Sequence, residues 1–500
     1  MPPNDIFRAP RLPTELYINI LRWLDYRSLL RCMQVCTLFR DVVVETAQLQ
    51  LIIELAVAGK INGNYDAASS SARLQLLKAH QSAWRSLRWK KELKIPMKSG
   101  GLWELFGGVL GQSDEDNSLY LYRLPSELRN IEAKEWSLSA GDIDVHVRDF
   151  AMDPSLDLLV LVEAPDMLLA DDKLEYRVHL RSLSTGKPHP RASGGPVLRL
   201  EQKHRRDFTD SYAIQIWGDL VSIIFERRVV ESELAVWEWT TNTLLNDIEA
   251  GGLLSSSFIS DSWMLLGLMD HHGEIVLAAF PFRTTKLAED QDPYKNAIKF
   301  RYPDLVVDAY ITDIDIRCDP GSSSKNDAVP FSQDLTEFII VVNLWLFAQD
   351  ECYTHFIPSS LIMKLIEGPY PKGHESFPWS LWAPLNTRLL SPLEYPSDVW
   401  VCYVNGTKVV MSEPTIFGKH GYSLRVYDFN WRPMLRGAKS KGVEAPDGID
   451  TSATVIDGGA AFECTVVTSL PFWSRAIDLE DVHDHCDVLC SEDQIIVVDA

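Results

Sequence analysis

Residues 12–40 read LPTELYINILRWLDYRSLLRCMQVCTLFR, and this stretch predicts three short helices. Leu16, Ile20 and Leu24 recur every four residues, which is the spacing of one face of a helix. Asp25 is a typical cap for a second helix, because its carboxylate can accept hydrogen bonds from the free N–H groups of the first turn. The last residues of the stretch predict a third helix.

Three short helices in about 35 residues are too small a unit to bury all of these apolar side chains. Apolar side chains that cannot be buried internally mark a surface that another domain or another protein covers. The residues from which such a surface is expected are Leu12, Leu16, Ile20, Leu29 and Phe39.

The order and spacing of these residues resemble an F-box. The matching positions, over about residues 10–50, are Leu12-Pro13-Thr14-Glu15-Leu16, Ile20, Leu24, Leu29, Cys32, Val35-Cys36 and Phe39-Arg40. In that family the three helices dock on a Skp-type adaptor, which links them to a cullin scaffold. The resemblance therefore implies an F-box over residues 8–57. The adaptor-binding residues that it implies are Leu12, Pro13, Leu16, Ile20, Leu24, Leu29, Val35, Cys36 and Phe39. The alternative is a generic helical bundle with the same spacing.

Residues 58–97 are expected to form a linker helix region. Leu74, Leu77, Trp84 and Leu87 fall on one side of a helix, and the region is similar to the segment C-terminal to the F-box in many fungal F-box proteins. We expect this helix to pack against the rest of the chain. A basic nucleic-acid-binding surface is the alternative, but its basic residues are few and lack the stacking aromatic residues of such sites.

Charge divides the chain near residue 98. Residues 1–98 contain 15 Lys and Arg against 8 Asp and Glu, whereas the remaining residues contain 33 against 62. A single domain rarely divides its charge in this way, so we place a domain boundary there. The acidic remainder argues against binding of a nucleic-acid backbone.

Beyond residue 98 the apolar residues alternate with polar ones, which predicts β-strands. Val178–Lys187, Leu234–Asn242 and Leu424–Phe429 each resemble the third strand of a WD-repeat propeller blade. Asp157–Val162 and Asp219–Phe225 are predicted to be the preceding strands of two blades. The predicted fold class is therefore α+β, with a three-helix F-box and a linker helix followed by a mainly β domain over residues 98–500. We interpret this domain as a degenerate β-propeller that binds a substrate, with a β-sandwich as the alternative.

The number of blades is left open by the spacing. Leu234 and Leu424 are far enough apart for four blade-to-blade spacings with polar insertions at 288–296 and 320–329. Asp493–Asp499 predicts a last strand, and we expect it to complete the first blade and close the ring, since closure removes exposed sheet edges.

A search for catalytic motifs finds no phosphate-binding loop, no metalloprotease helix and no nucleophile elbow. His483, His485, Cys486 and Cys490 form a metal-like group, but acidic neighbours and an adjacent strand disfavour tetrahedral zinc geometry. Asp313 and Asp315 alternate on a predicted strand and would point the same way, as paired carboxylates do. With 70 acidic residues in the chain such pairs arise by chance, so neither a catalytic residue nor a metal or cofactor is predicted.

The N-terminal sequence lacks the pattern of a signal peptide. The longest apolar run, around Phe338–Ala348, is about half the length that spans a bilayer. We therefore expect no membrane association and a location in the cytoplasm, the nucleus or both.

Together these patterns predict the non-catalytic substrate-recognition subunit of a Skp–cullin–F-box ubiquitin ligase, which binds an unknown client protein through its β domain. Two alternatives remain at this point: an F-box protein that acts with the adaptor outside a ligase, and an enzyme on a propeller scaffold.

Overall fold

A computed structural model describes residues 12–64, 68–127, 129–163, 175–201, 211–226, 232–249, 251–270, 272–283, 293–319, 329–347, 351–368, 376–393, 403–414, 422–433, 448–478 and 487–498. The chain divides into two compact units. The first contains residues 1–90 with the short segments 127–130 and 325–333, and the second contains the remainder. Helices and strands are numbered below in chain order.

The first unit is mainly helical. Asp25 caps the second helix, since its carboxylate accepts a hydrogen bond of 2.7 Å from the backbone N–H of Ser28. The fourth helix ends at Gly59, whose positive φ of 65° allows the left-handed turn that stops a helix. The helices are α1 (Thr14–Leu21), α2 (Tyr26–Val35), α3 (Thr37–Glu45), α4 (Ala47–Ala58) and α5 (Ser70–Ser86).

A small core joins the first four helices. It is built from side chains at helical spacing on their inner faces, and these are Leu21, Leu29, Val42, Val43, Leu49, Ile53 and Val57. This arrangement confirms the three predicted helices. It also shows that α4 supplies much of the apolar surface on which they pack.

A short strand pair completes the first unit. Strand β1 (Lys60–Asn62) pairs antiparallel with β19 (Phe331–Gln333), which lies about 270 residues later in the sequence. Phe331 is fully buried and packs with Leu51, Leu55 and Leu77 of α4 and α5. The first unit therefore takes part of its core from residues far beyond the boundary predicted near residue 98.

The second unit is a six-bladed β-propeller in the described part of the chain. Each blade is built on four antiparallel strands in chain order, and inserted elements separate some of these strands in the later blades. The first three blades consist of β2 (Trp103–Phe106), β3 (Val109–Ser113), β4 (Leu119–Arg123) and β5 (Lys134–Leu138); β6 (Val147–Asp153), β7 (Leu158–Glu163), β8 (Glu175–Ser182) and β9 (Val197–Glu201); β10 (Ser211–Trp217), β11 (Leu220–Glu226), β12 (Glu233–Glu238) and β13 (Thr243–Glu249). A short helix, α6 (Ala140–Ile143), connects the first blade to the second.

The other three blades carry insertions. They consist of β14 (Leu253–Phe258), β15 (Met264–Met269), β16 (Ile275–Phe280) and β17 (Ile298–Arg301); β18 (Ile311–Arg317), β20 (Ile339–Leu346), β21 (Glu351–Pro358) and β23 (Arg388–Leu393); β24 (Val404–Asn405), β25 (Lys408–Pro414), β26 (Tyr422–Asp428) and β30 (Phe472–Asp478). The additional elements are α7 (Ser359–Glu367), β22 (Ser376–Phe377), α8 (Trp379–Trp382), β27 (Ile449–Asp450), β28 (Thr454–Ile456), β29 (Val466–Thr468), β31 (Asp487–Cys490) and β32 (Ile495–Val498).

Apolar layers between neighbouring blades hold the ring together. Strands that are buried on both faces supply the side chains of these layers. Val160 and Trp237, for example, belong to the layer between the second and third blades. Between the fifth and sixth blades the ring of Phe356 stacks on that of Phe429 at 4.5 Å between centroids. The first strands of the blades, β2, β6, β10, β14 and β18, contact one another in that order and so form the inner wall of the ring.

The predicted propeller strands are confirmed. Val178, Leu234 and Leu424 lie on β8, β12 and β26, each the third strand of its blade, and the two predicted preceding strands are β7 and β11. The expectation of four spacings between Leu234 and Leu424 is wrong: there are three, because long insertions in the fourth and fifth blades lie between these two residues. The predicted polar insertions at 288–296 and 320–329 fall largely outside the described residues.

The predicted role of the last strand is also corrected. Strand β32 pairs with β31 and adds no strand to the first blade. The hairpin instead closes the ring by side-chain packing, since Leu489 lies in one apolar cluster with Leu105 and Leu124 of the first blade. The amide of Gln494 also donates a hydrogen bond of 2.7 Å to the carbonyl of Pro125. The hydroxyl of Ser126 bonds to the carboxylate of Asp493.

Candidate functional sites

An exposed apolar surface covers one side of the N-terminal helices. Leu16 is 45% exposed, Ile20 57% and Trp23 81%, and Val35 at the end of α2 is 71% exposed. Leu16, Ile20 and Trp23 are spaced by four and three residues, so they share one side of α1 and the turn at its end. Exposed apolar side chains grouped in this way mark a surface that binds another protein.

The packing of α1 on α3 fixes this surface. The ring of Tyr17 meets that of Phe39 edge to face at 5.8 Å between centroids. Phe39 and Leu24 are each half-buried, and each keeps part of its side chain accessible. The outward-facing residues of α1 are thereby held on a preformed framework.

Eight of the nine residues predicted to bind the adaptor reach the surface. Leu12, Pro13, Leu16, Ile20, Val35 and Cys36 are exposed, and Leu24 and Phe39 are half-buried. Leu29 differs, because it is fully buried between the helices. Its side chain packs the core, so we remove it from the predicted contact residues.

Trp23 and Leu38 were missed by the reasoning from sequence. Trp23 is the most exposed large apolar side chain of the helices, and the guanidinium of Arg22 lies 5.6 Å from its ring centroid. Leu38 is 44% exposed. The signal for Trp23 was present in the sequence, since it comes seven residues after Leu16 and therefore lies on the same helix face.

A second feature is a group of charged side chains on the inner wall of the propeller. Glu104 and Asp149 lie on the first strands of blades one and two, and Asp313, Asp315 and Arg317 lie on the first strand of blade five. Arg317 forms an ion pair of 2.9 Å with Asp315. Electrostatic interactions connect Glu104 to both Asp149 and Arg317. The predicted pairing of Asp313 with Asp315 along one strand is thus part of a larger group.

Burial and mutual repulsion favour the protonated form of these carboxyl groups. Burial, together with the charge of Asp149, raises the pKa of Glu104 to about 8. Burial raises the pKa of Asp149 to about 6. Burial and the charge of Asp315 raise the pKa of Asp313 to about 6. Burial is the largest cause of each shift, and Arg317 only partly offsets the repulsion felt by Glu104 and Asp313.

His355 lies in an aromatic layer instead of this charged group. Its Nδ1 lies 2.6 Å from the hydroxyl of Tyr302, and Trp379 and Trp382 pack on its ring. Complete burial lowers the pKa of His355 to about 3, so the imidazole is neutral at physiological pH. Its surroundings are those of a core side chain.

The predicted metal-like group lies mostly outside the described residues, which include neither His483, His485 nor Cys486. Cys490 is buried on β31, and its burial raises the pKa of the thiol. Among the described residues no group of His, Cys, Asp and Glu has the geometry to hold a metal ion. Within the same residues, no helix combines the length and the apolar character needed to cross a membrane.

Comparison with known proteins finds a family match in the N-terminal unit. Residues 9–49 match the F-box-like family model, so the chain carries an F-box-like domain followed by a propeller. No curated protein matches the sequence. Similar solved structures include the WD40 domain of coronin from Toxoplasma gondii, with 10% identity, a TM-score of 0.33 and coverage of 68% of this chain and 71% of that one. They also include the WD40 domain of SCAP from fission yeast, with 8% identity, a TM-score of 0.34 and coverage of 81% and 92%.

Proposed function

We propose that this protein is the substrate-recognition subunit of a Skp–cullin–F-box ubiquitin ligase. The observation that carries the proposal is the exposed apolar surface of Leu16, Ile20, Trp23 and Val35 on helices that match the F-box-like family model. An adaptor of the Skp type would cover this surface. The propeller would bind the client protein, and the complex would act in the cytoplasm, the nucleus or both.

The proposed role of this chain is positional. By holding the client beside a ubiquitin-charged enzyme, the complex raises the effective concentration of the client's lysines at that enzyme. No reacting group of this chain takes part in such a mechanism. The exposed apolar surface and the client-binding propeller are sufficient for it.

Co-purification tests the assignment to a ligase. The full chain, co-expressed with a Skp-type adaptor and a cullin, is expected to retain both proteins. A double variant, Leu16→Asp with Ile20→Asp, is expected to lose both. Leu381→Asp with Leu385→Asp is the matched control, because these propeller residues are 65% and 78% exposed. Retention of the adaptor without the cullin would instead support an F-box protein that acts outside a ligase.

The central charged group favours a second candidate, an enzyme on a propeller scaffold. Such an enzyme needs convergent titratable groups at the ring centre, and Glu104, Asp149 and Asp313 converge there. A panel of ester, amide and glycoside substrates tests this candidate. It requires turnover by the wild-type protein that Asp313→Asn abolishes, whereas the proposed ligase function requires none.

A further inference from the structure

Three exposed apolar side chains form a patch on the fifth blade of the propeller. Val307 is 95% exposed, Tyr310 51% and Phe347 64%. The rings of Tyr310 and Phe347 stack with 4.8 Å between centroids and an angle of 20° between planes. We call these three residues the aromatic patch.

The backbone holds the two aromatic residues in place. Tyr310 directly precedes β18, Phe347 directly follows β20, and these strands pair Ile311 with Leu346. The N–H of Phe347 donates a hydrogen bond of 3.1 Å to the carbonyl of Tyr310. The stacked pair therefore extends the hydrogen-bonded pairing of β18 with β20. The two aromatic side chains lose little conformational freedom when a ligand binds.

The loop that presents Val307 is also anchored. The N–H of Val306 donates to the carbonyl of Ala461 at 3.0 Å, and the N–H of Glu463 donates to the carbonyl of Asp304 at 2.9 Å. Val307 lies between these anchors and the stacked rings, and it remains almost fully exposed. Large apolar side chains held rigidly in water are typical anchors of binding surfaces.

The charge around the patch identifies the kind of partner. Residues 303–317 contain four aspartates, Asp304, Asp308, Asp313 and Asp315, and a single cation, Arg317, which already pairs with Asp315 at 2.9 Å. Asp313 and Asp315 follow Tyr310 on β18, and burial together with the charge of Asp315 raises the pKa of Asp313 to about 6. A cationic group brought to this end of the blade would relieve that repulsion. An anionic partner would increase it.

We propose that the aromatic patch is the docking surface for an extended client segment in which an apolar side chain neighbours Lys or Arg. The apolar side chain packs on Tyr310 and Phe347, and the basic side chains face Asp308 and Asp313. This inference rests on the proposed client-binding role of the propeller and adds the chemistry of the client.

Binding of defined peptides tests the inference. The full chain, purified with its adaptor, is titrated with three fluorescent 12-residue peptides. The first alternates Lys with Leu and Trp, the second has every Lys replaced by Glu, and the third has every Leu and Trp replaced by Ser. We expect the first peptide to bind at least tenfold more tightly than either of the others.

Variants locate the site. Tyr310→Ser with Phe347→Ser is expected to weaken binding of the first peptide at least tenfold, and Asp313→Asn is expected to weaken it and reduce its salt dependence. Leu381→Ser with Leu385→Ser removes a similar exposed apolar area from the same propeller and is expected to leave binding unchanged. Thermal unfolding of each variant shows that the fold is intact.

Several results would overturn the inference. These are equal affinity for the three peptides, no binding of the first peptide, or equal loss of binding in the control variant. A dimer that the Tyr310 and Phe347 substitutions dissociate would show that a second copy of this chain occupies the patch instead. Adaptor binding is read in the same preparations: if it persists while peptide binding fails, the docking inference fails and the proposed ligase function stands.

Discussion

The ammonium group of Lys60 donates a buried hydrogen bond of 2.8 Å to the side-chain oxygen of Gln333, across 273 residues of sequence. Both residues belong to the helical unit, where β1 and β19 pair. The unit that carries the F-box-like domain is therefore completed by a segment that lies between two strands of the fifth propeller blade in sequence. The stability of the helical unit is therefore expected to depend on residues that a truncation near residue 98 would remove.

Phe331 provides the first test of that dependence. Its ring is fully buried against Leu77 and meets that of His80 edge to face at 5.4 Å between centroids. Phe331→Ala is expected to destabilise the helical unit by about 3 kcal/mol, because the change leaves a cavity. Hydrogen exchange of the α4 and α5 amides measures this loss. Phe347→Ala, at an exposed aromatic residue, is the control and is expected to leave that exchange unchanged. Equal exchange in both variants would contradict the role of β19.

Leu29 and Leu16 are expected to separate folding from binding. Leu29→Ala should lower the unfolding free energy of the helical unit by about 2–4 kcal/mol, because Leu29 is fully buried. Leu16→Ala should change that stability by less than about 1 kcal/mol and weaken adaptor binding, because Leu16 is 45% exposed. Chemical denaturation and adaptor titration of both variants measure the two effects. A stability loss at Leu16 as large as that at Leu29 would place Leu16 in the core.

Glu104 is expected to make the propeller less stable as the pH rises. The pKa of this half-buried carboxyl is raised from 4.5 to about 8 in the folded protein. The folded state therefore holds a proton that the unfolded state has lost, and stability falls between about pH 5 and pH 8. Glu104→Gln should stabilise the propeller by about 1–2 kcal/mol at pH 8.5, an amount that allows for solvent screening, and should have little effect at pH 5. Melting curves at the two pH values test this, and an equal shift at both would contradict it.

The C-terminal hairpin is expected to be structural. Removal of residues 491–500 deletes β32 and uncovers Leu105 and Leu124 of the first blade. We expect a lower melting temperature of the propeller and a loss of solubility, because apolar surface and the edge of β31 become exposed. Leu381→Ser with Leu385→Ser, at exposed residues of the same propeller, is the control and is expected to leave the melting temperature unchanged. A truncated protein that melts at the wild-type temperature would show that the hairpin does not close the ring.

Local patterns in the sequence predicted a large part of this structure. The first helix of the N-terminal unit follows from the spacing of Leu16 and Ile20, and the second follows from the cap at Asp25. The third strands of three blades follow from alternation of apolar and polar residues. These signals depend only on neighbouring residues. The exposed face of α1 was predicted for the same reason. The same spacing could have predicted that Trp23 belongs to this face.

Other features depend on contacts that no local pattern contains. Lys60 pairs with Gln333, and Tyr310 stacks on Phe347. Each contact joins segments that are distant in sequence, and their register is set only when the chain folds. Burial of Leu29 could not be separated from exposure of Leu16, since both are apolar residues at helical spacing. The number of blades was hidden by insertions such as α7 and α8, which lengthen the fifth blade and break its period.

The affinity of the full chain for a Skp-type adaptor measures the proposed function most directly. Isothermal titration is expected to show that Leu16→Asp with Ile20→Asp weakens binding at least 1,000-fold, or about 4 kcal/mol, because charges replace the centre of the apolar surface. The propeller should melt at an unchanged temperature. Wild-type protein that binds no adaptor, or a double variant that binds as tightly as wild type, would contradict the assignment of these helices as the adaptor-binding surface.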